Sequence, residues 1–210
     1  MSMIEKNIAE KLLQINAIKL QPANPFTWAS GWKSPIYCDN RKTLSYPAVR
    51  KEICDAFVAK IRELYPSVEI IAGVATGAIA HGMLVAEAMG LPFIYIRSSS
   101  KAHGLTNMIE GDYSAGQKVV VIEDLISTGG SSLKAVEALR EAKCDVLGML
   151  AIFTYEFSVA QQNFEKASCA VSTLSNYSTL IEHALSKKYI SQDDVSSLQE
   201  WRKQPETWGK

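Results

Sequence analysis

Four short apolar runs that alternate with helical patterns constrain the fold more than any other feature of this sequence. The runs cover residues 69–75, 92–97, 118–124 and 146–155 and are rich in valine, isoleucine and aromatic residues, as strands buried on both faces are. Apolar residues at three- to four-residue spacing between them predict helices over 78–89 and 131–142. A strand-helix-strand order requires crossover connections. We therefore predict an α/β fold with a mainly parallel sheet and helices on both faces.

Further helices are predicted on both sides of this core. Residues 4–18 carry isoleucine and leucine at helical spacing, although the start of this helix looks poorly capped. The same spacing predicts helices over 49–64, before Pro66, and over 176–201. Residues 19–47 are instead rich in proline, asparagine, serine and glycine, interspersed with aromatics. They predict turns and short extended pieces that are either disordered or functional.

Charge, hydropathy and cysteine usage exclude several classes of protein. The 210 residues include 22 lysines and arginines and 22 aspartates and glutamates, so no net charge attracts nucleic acid. The longest apolar run, 146–153, is far shorter than the roughly 18 residues that a spanning helix needs. Glu5 and Glu10 lie where a secretory signal would have a basic head and a long apolar stretch. The four cysteines are widely separated in sequence and form no C-x-x-C pair, which predicts reduced thiols. We expect a cytoplasmic protein that binds neither nucleic acid nor membranes.

Residues 119–132, which read VVVIEDLISTGGSS, carry the clearest chemical signal. They predict a buried strand, then a turn rich in hydroxyls and glycine that opens a helix. Glycines let backbone N–H groups approach a ligand closely, and the start of a helix adds exposed N–H groups and the positive end of its dipole. The segment therefore predicts a monophosphate site in which Ser127, Thr128, Ser131 and Ser132 supply hydroxyl donors. The substrate-binding residues that we expect here are Leu125, Ile126, Ser127, Thr128, Gly129, Gly130 and Ser131.

Two adjacent carboxylates, Glu123 and Asp124, stand between the strand and this turn. They repel phosphate but suit a ribose diol or a magnesium ion held through water. Burying them costs desolvation free energy, which argues against a purely structural role. The sequence does not match the other common phosphate-binding motifs. Residues 111–118 have the glycine spacing of a Walker A motif but lack the Gly-Lys-Ser/Thr ending of that motif, and no GxGxxG occurs. A kinase or a nicotinamide-dependent enzyme is therefore poorly supported.

Taken as a whole, residues 119–132 resemble the phosphoribosyl pyrophosphate signature of the type I phosphoribosyltransferases. Residues 24–41, NPFTWASGWKSPIYCDNR, look like the amino-terminal signature of the orotate enzymes; 97–104, RSSSKAHG, resemble their mobile catalytic loop, and 73–80, GVATGAIA, their pyrophosphate loop. On these motifs the chain is identified as a member of the orotate phosphoribosyltransferase family, in its Gram-positive and related bacterial branch. The resemblance implies one phosphoribosyltransferase domain over 1–210, with a core at about 66–175 and a small hood built from 1–45 and 176–210.

The resemblance also implies an activity: an enzyme of pyrimidine synthesis, a pentosyltransferase that makes orotidine 5′-monophosphate and pyrophosphate from orotate and phosphoribosyl pyrophosphate with Mg²⁺. Residues 128–131 would hold the 5-phosphate, Glu123 and Asp124 the ribose, and Asp124 the metal, through water or through the substrate. Ser127 and Tyr37 would contact orotate. The catalytic residues would be Arg97, Lys101, His103 and Asp124. A homodimer is implied, with the 97–104 loop reaching the partner's site.

Physical chemistry supports the role of the 97–104 loop independently. Serines and Gly104 make it flexible enough to close over a site, and Arg97, Lys101 and His103 bring two permanent cations and a titratable one. We therefore interpret the loop as a lid that binds a pyrophosphate.

The chain departs from some family members at several positions. Ala29, Gly77 and Ser98 stand where some members have lysine, and no arginine follows residues 152–155 to bind the orotate carboxylate. Arg41 or backbone amides are the candidates that remain for that carboxylate. Two alternatives stay open: a phosphoribosyltransferase for another base, which would lack the element at 30–35, and a regulator that senses phosphoribosyl pyrophosphate. Such a regulator usually adds a surface for nucleic acid, which the neutral charge and the length do not favour.

Overall fold

The irregular amino-terminal stretch folds into small antiparallel ribbons. The computed structural model describes residues 2–28, 30–98 and 108–209. A first helix is followed by two pairs of short strands, β1 with β4 and β2 with β3, and then by a 3-10 helix and a long second helix. In chain order these elements are α1 (Met3–Gln14), β1 (Ile18–Leu20), β2 (Phe26–Thr27), β3 (Lys33–Ser34), β4 (Ile36–Cys38), the 3-10 helix (Asn40–Ser45) and α2 (Pro47–Leu64).

The predicted mainly parallel sheet is confirmed. Six strands run in the order β10-β9-β8-β5-β6-β7, and all neighbours are parallel except β6 and β7. The four predicted strands form its centre, whereas β7, β10 and α5 were not predicted. The elements are β5 (Ile70–Val74), α3 (Ile79–Met89), β6 (Phe93–Ile96), β7 (Ile109–Glu110), β8 (Lys118–Ile126), α4 (Gly130–Glu141), β9 (Asp145–Thr154), α5 (Ser158–Lys166) and β10 (Val171–Asn176).

Alternate residues of β8 supply the two hydrophobic cores, one on each face of the sheet. Val120 and Ile122 pack into the core that also receives α1, α2 and α3. Val119 and Val121 pack into the opposite core, with the apolar sides of α4 and α5. Because side chains alternate along a strand, the last residues of β8 are also divided between the two faces.

Two helix predictions were wrong in detail. Helix α1 was predicted over 4–18, but it ends at Gln14, where Asn16 takes a left-handed φ of 54°. Its start is not poorly capped, since Ser2 and Glu5 form a capping box. The helix predicted over 176–201 is two helices, α6 (Tyr177–Ser186) and α7 (Gln192–Lys203). A left-handed Lys188 ends the first, and the side chain of Ser191 caps the second.

The two ends of the chain meet over one end of the sheet. Trp28, which follows β2, lies edge-on to the buried Trp201 of α7, with ring centroids 5.7 Å apart. Both rings also pack against Tyr155, at 5.2 Å and 5.6 Å between centroids. This aromatic cluster joins the amino-terminal ribbons and the carboxyl-terminal helices to the end of β9. Among the residues that the structure describes, no helix is long and apolar enough to cross a membrane.

Candidate functional site

The predicted phosphate segment forms a loop between a buried strand and a helix. After β8 ends at Ile126, the chain turns through Gly129, whose left-handed φ of 81° places it at the amino-terminal cap of α4. Ser127, Thr128, Gly129 and Ser131 line a cavity of about 310 Å³ together with the end of β5 and the acidic pair; the described residues that line it are Val74, Ala75, Thr76, Gly77, Glu123, Asp124, Leu125, Ser127, Thr128, Gly129 and Ser131. The dipole of α4 favours an anion at this end of the cavity.

Two residues of the predicted phosphate segment do not line this cavity. Ile126 is only 2% exposed and packs in the core beneath the loop. Gly130 is exposed at the first turn of α4, outside the lining.

The buried member of the acidic pair is Glu123, which is 4% exposed. Its Oε2 accepts a hydrogen bond from the Ser132 hydroxyl at 2.7 Å, and its Oε1 accepts one from the Asp124 N–H at 2.9 Å. Burial, and then the charge of Asp124, raises the pKa of Glu123 to about 8. Burial also raises the pKa of Asp124, whose carboxyl group is partly exposed at the cavity. Both residues line the cavity, and of the two Asp124 is the more exposed.

Gly77 and Asp124 are in direct contact across the cavity. A Cβ atom on Gly77 would overlap the Asp124 carboxylate, so a side chain at position 77 requires that carboxylate to move. The lysine that some family members carry at this position would not fit beside the Asp124 carboxylate in this arrangement. Residues 75–77 follow β5, the strand beside β8, and therefore lie at the same edge of the sheet.

Arg97 lies beside the end of β5, where the N–H of Ala75 donates to the carbonyl of Ile96 at 2.8 Å, but it does not line the cavity. It directly follows β6, and its N–H donates to the carbonyl of Met108 at 2.8 Å. Its guanidinium Nη1 lies 3.5 Å from Glu110 Oε1 on β7. Lys101 and His103, the other predicted catalytic cations, lie outside the described residues.

A second cavity, of about 300 Å³, adjoins the first, and three of the seven described residues that line it are aromatic. It shares Leu125 and Ser127 with the first cavity and also contains Tyr37, so the two residues predicted to contact orotate lie in one lining; the described residues that line it are Thr27, Trp28, Tyr37, Cys38, Leu125, Ser127 and Tyr155. Arg41 is absent from this lining, since its guanidinium forms an ion pair with Asp39 at 2.7 Å. None of the described residues that line this cavity carries a charged side chain.

Tyr155 contributes the most enclosed ring of this pocket. Only 3% of the residue is exposed, and its ring stacks on Phe157 at 5.4 Å between centroids. Burial raises the pKa of Tyr155 well above its ordinary value, so the hydroxyl stays protonated. No described residue forms a hydrogen bond with it, and it remains available to a ligand as a donor.

Two asparagines that the sequence did not single out hold the cavity's backbone. Asn40, in the 3-10 helix, donates from Nδ2 to the carbonyl of Asp124 at 2.6 Å. Asn163, on α5, donates from Nδ2 to the carbonyl of Thr128 at 3.0 Å. They lie 84 and 35 residues away in sequence from the groups they bind. Asn40 falls within the 24–41 segment, although no role was predicted for it, and Asn163 belongs to none of the motifs described above.

A larger cavity, of about 570 Å³, lies between α5 and β10 and shares only Ile126 with the motif. Its size does not make it the functional site, because it contains neither the acidic pair nor the glycine turn. Within the described ranges, no three histidine, cysteine, aspartate or glutamate side chains come together as a metal cage.

A parallel sheet with a phosphate loop and an acidic pair at the carboxyl ends of its strands defines a nucleotide- or sugar-phosphate-binding α/β protein. Residues 44–184 match the phosphoribosyl transferase domain family. The chain is 61% identical over 209 residues to the orotate phosphoribosyltransferase of Porphyromonas gingivalis, and 58% identical over 210 residues to that of Enterococcus faecalis; each alignment covers 100% of both chains. The chain belongs to the orotate phosphoribosyltransferase family, within the phosphoribosyltransferases.

Solved structures agree on the fold. Orotate phosphoribosyltransferase from Aeropyrum pernix superposes with a TM-score of 0.77 at 24% identity, covering 88% of this chain and 99% of that one. Leishmania donovani UMP synthase gives the same TM-score at 26% identity, covering 94% of this chain and 42% of that longer chain. The predicted family and fold class are therefore confirmed.

Proposed function

We propose that the chain transfers the ribose 5-phosphate unit of phosphoribosyl pyrophosphate to N1 of orotate, giving orotidine 5′-monophosphate and pyrophosphate in pyrimidine synthesis. The observation that carries this proposal is the meeting of two unlike cavities at Leu125 and Ser127. One cavity has the glycine turn and carboxylates that suit a ribose phosphate, and the other has the aromatic walls that suit a planar base. A bond between ribose and base would form where they meet.

The phosphate end of the substrate would bind at residues 128–131. Hydroxyls of Thr128 and Ser131, backbone N–H groups and the dipole of α4 all favour an anion there. Asp124, with Glu123 behind it, would then face the ribose hydroxyls.

The acidic pair also fits a magnesium ion. Among the described residues neither carboxylate forms an ion pair, and burial raises the pKa of both, so a nearby cation would relieve an unfavourable charge. Asp124 would hold Mg²⁺ through water or through the substrate, and the ion would supply positive charge to the departing pyrophosphate.

Departure of pyrophosphate leaves positive charge on C1′ of the ribose, as in glycoside cleavage. We assign stabilisation of the leaving group to Arg97, Lys101 and His103, with His103 donating a hydrogen bond or a proton to the pyrophosphate. Closure of the 97–104 loop would keep water from the cationic centre. Arg97 directly follows β6, so it can bring this loop towards the carboxyl ends of the strands.

Orotate would lie in the aromatic cavity. Tyr37 and Trp28 offer ring faces, and the hydroxyls of Ser127 and Tyr155 offer neutral hydrogen bonds to its polar edge. Trp28 and Tyr155 belong to the contact between the two ends of the chain, which supports the assignment of 1–45 and 176–210 to a hood over the base.

We also propose a cytoplasmic homodimer in which the 97–104 loop serves the neighbouring subunit's site. The four cysteines are free thiols, as a reducing compartment requires. Mixed dimers of a Lys101→Ala subunit and an Asp124→Asn subunit test the sharing of sites, because one of the two sites then regains both residues. Recovered activity supports it, and no recovery in verified mixed dimers contradicts it.

Loss of orotate, followed by its ultraviolet absorbance, tests the reaction directly. Consumption that requires both phosphoribosyl pyrophosphate and Mg²⁺, and that chelation of the metal abolishes, is the expected result. Competition with uracil and a purine base is the control for base choice. Binding of phosphoribosyl pyrophosphate with no loss of orotate would show that the base assignment is wrong.

A further inference from the structure

Helix α5 supports one peptide of the phosphate loop from two sides. Asn163 Nδ2 donates to the carbonyl oxygen of Thr128 at 3.0 Å. The next residue, Phe164, is 3% exposed, and its ring lies so close to Gly129 that a Cβ there would come within 2.8 Å of Phe164 Cε2. The Thr128–Gly129 peptide therefore rests on α5 through a hydrogen bond to its carbonyl group and a close contact with its glycine.

The hydrogen bond to Asn163 fixes the direction of the peptide. In a trans peptide the C=O bond and the following N–H bond point in opposite directions. Because the Thr128 carbonyl is held towards Asn163, the N–H of Gly129 is directed away from Asn163. Thr128 and Gly129 line the cavity, whereas Asn163 does not. The carbonyl of Gly129 is used as well, since it accepts from the N–H of Leu133 at 2.9 Å in the first turn of α4.

The opposite orientation would be damaging to a phosphate site. Gly129 has a left-handed φ of 81° and no side chain, so rotation of the preceding peptide meets little local resistance. A rotated peptide would present the partial negative charge of the Thr128 oxygen to the anion in place of an N–H donor. A side-chain amide suits the task, because Nδ2 donates to the carbonyl without adding charge near the phosphate.

We propose that Asn163 is a positioning residue that holds the Thr128–Gly129 peptide so that the Gly129 N–H binds the substrate's 5-phosphate. This inference rests on the proposed function for the identity of the phosphate, but its main readout does not require turnover. Asn163 acts through the peptide and does not itself touch the substrate.

Three variants on α5 separate this role from packing. Asn163→Ala removes the donor, and alanine has the higher helix propensity, so the helix itself is not weakened. Asn163→Asp keeps the size of the side chain but places an acceptor against the Thr128 oxygen. Gln162→Ala, at the exposed neighbouring position, is the matched control. Thermal unfolding of each variant verifies that it is folded.

The first readout is binding of inorganic phosphate, measured by titration while the backbone amide of Gly129 is followed by NMR. In the wild type and in Gln162→Ala the Gly129 signal should shift on binding. In both Asn163 variants the signal should lose that shift, and phosphate affinity should fall about 10- to 100-fold, the worth of a hydrogen bond to a charged group. The second readout is kinetic: the KM for phosphoribosyl pyrophosphate should rise by a similar factor while the KM for orotate stays within about twofold.

Wild-type phosphate affinity and a wild-type Gly129 shift in folded Asn163→Ala or Asn163→Asp would overturn the proposal, whatever their thermal stability, and would leave Asn163 a packing residue. A wild type that binds phosphate with the Gly129 shift but does not consume orotate would refute the proposed reaction alone. The two failures are therefore distinguishable.

Discussion

Replacing Glu123 by glutamine is expected to flatten the fall in folding stability that the wild type shows as pH rises. Glu123 has an ordinary pKa near 4.5 when unfolded, and burial raises it to about 8 in the folded chain. Between these values the folded protein keeps a proton that the unfolded chain has lost. The free energy of unfolding therefore decreases as pH rises from about 4.5 to 8, and is lowest above pH 8.

The size of this decrease follows from the two pKa values. Each pH unit between them changes the free energy of unfolding by about 1.4 kcal/mol, which gives about 5 kcal/mol when Glu123 is fully ionised. Water reaching the Asp124 side of the pair relieves part of this cost, so we expect a fall of about 2 to 5 kcal/mol. Glutamine retains the hydrogen bonds: its oxygen accepts from the Asp124 N–H, and its amide donates to Ser132 Oγ.

Urea unfolding of the ligand-free protein from pH 5 to 9, at one fixed protein concentration, measures the effect. The curve of Glu123→Gln should lie increasingly above that of the wild type as pH rises, whereas Glu141→Gln, exposed at the end of α4, should follow the wild type. His81, whose pKa burial lowers to about 4, titrates alike in all three proteins and cancels in the difference. Parallel curves for wild type and Glu123→Gln would refute the reasoning, because Glu123 would then titrate as it does in the unfolded chain.

Three further substitutions test the site. Gly77→Ala is expected to lower kcat/KM for phosphoribosyl pyrophosphate about tenfold or more, since its Cβ displaces the Asp124 carboxylate; unchanged kinetics would mean that the carboxylate moves without consequence. Tyr155→Phe is expected to raise the KM for orotate about five- to tenfold at unchanged thermal stability, because its hydroxyl has no partner among the described residues; an unchanged KM would remove it from the base site. Lys101→Ala is expected to lower turnover about 10²-fold or more, and wild-type turnover would exclude it from the mechanism.

The central strands and the helices beside the motif were predictable because their signals are local. The run 118–124 is apolar enough to be buried on both faces, and the glycine turn after it marks the start of α4. By contrast β10, which reads VSTLSN, is a polar edge strand whose pairing with β9 leaves little trace in the sequence. Helix α5, only nine residues long, was missed in the same way. Edge elements of this kind are specified by the neighbours they pack against.

The site was predictable to the extent that its residues share one segment. Residues 123–131 were identified together, but Asn40 and Asn163 reach the same backbone from other elements through single hydrogen bonds. A single asparagine does not reveal which group it binds, even inside a recognised segment as Asn40 is, and loops and helix surfaces contain many that bind only water. Only the tertiary arrangement distinguishes the two that hold the Asp124 and Thr128 carbonyls.

Strand geometry predicts the faces on which Glu123 and Asp124 lie, but it does not predict their surroundings. Alternation along β8 assigns Glu123 to the face of Val119 and Val121, where α4 packs, and Asp124 to the opposite face. That division was available from the sequence, but what each face would meet was not. On the α4 side, the Ser132 hydroxyl donates to the Glu123 carboxyl group, and burial raises the pKa of Glu123. On the opposite side, Gly77 has no side chain, which leaves room for the Asp124 carboxylate beside the cavity. Two carboxyl groups one residue apart thus differ in burial and in hydrogen bonding, which is why we assign the ribose contact to Asp124 and place Glu123 behind it.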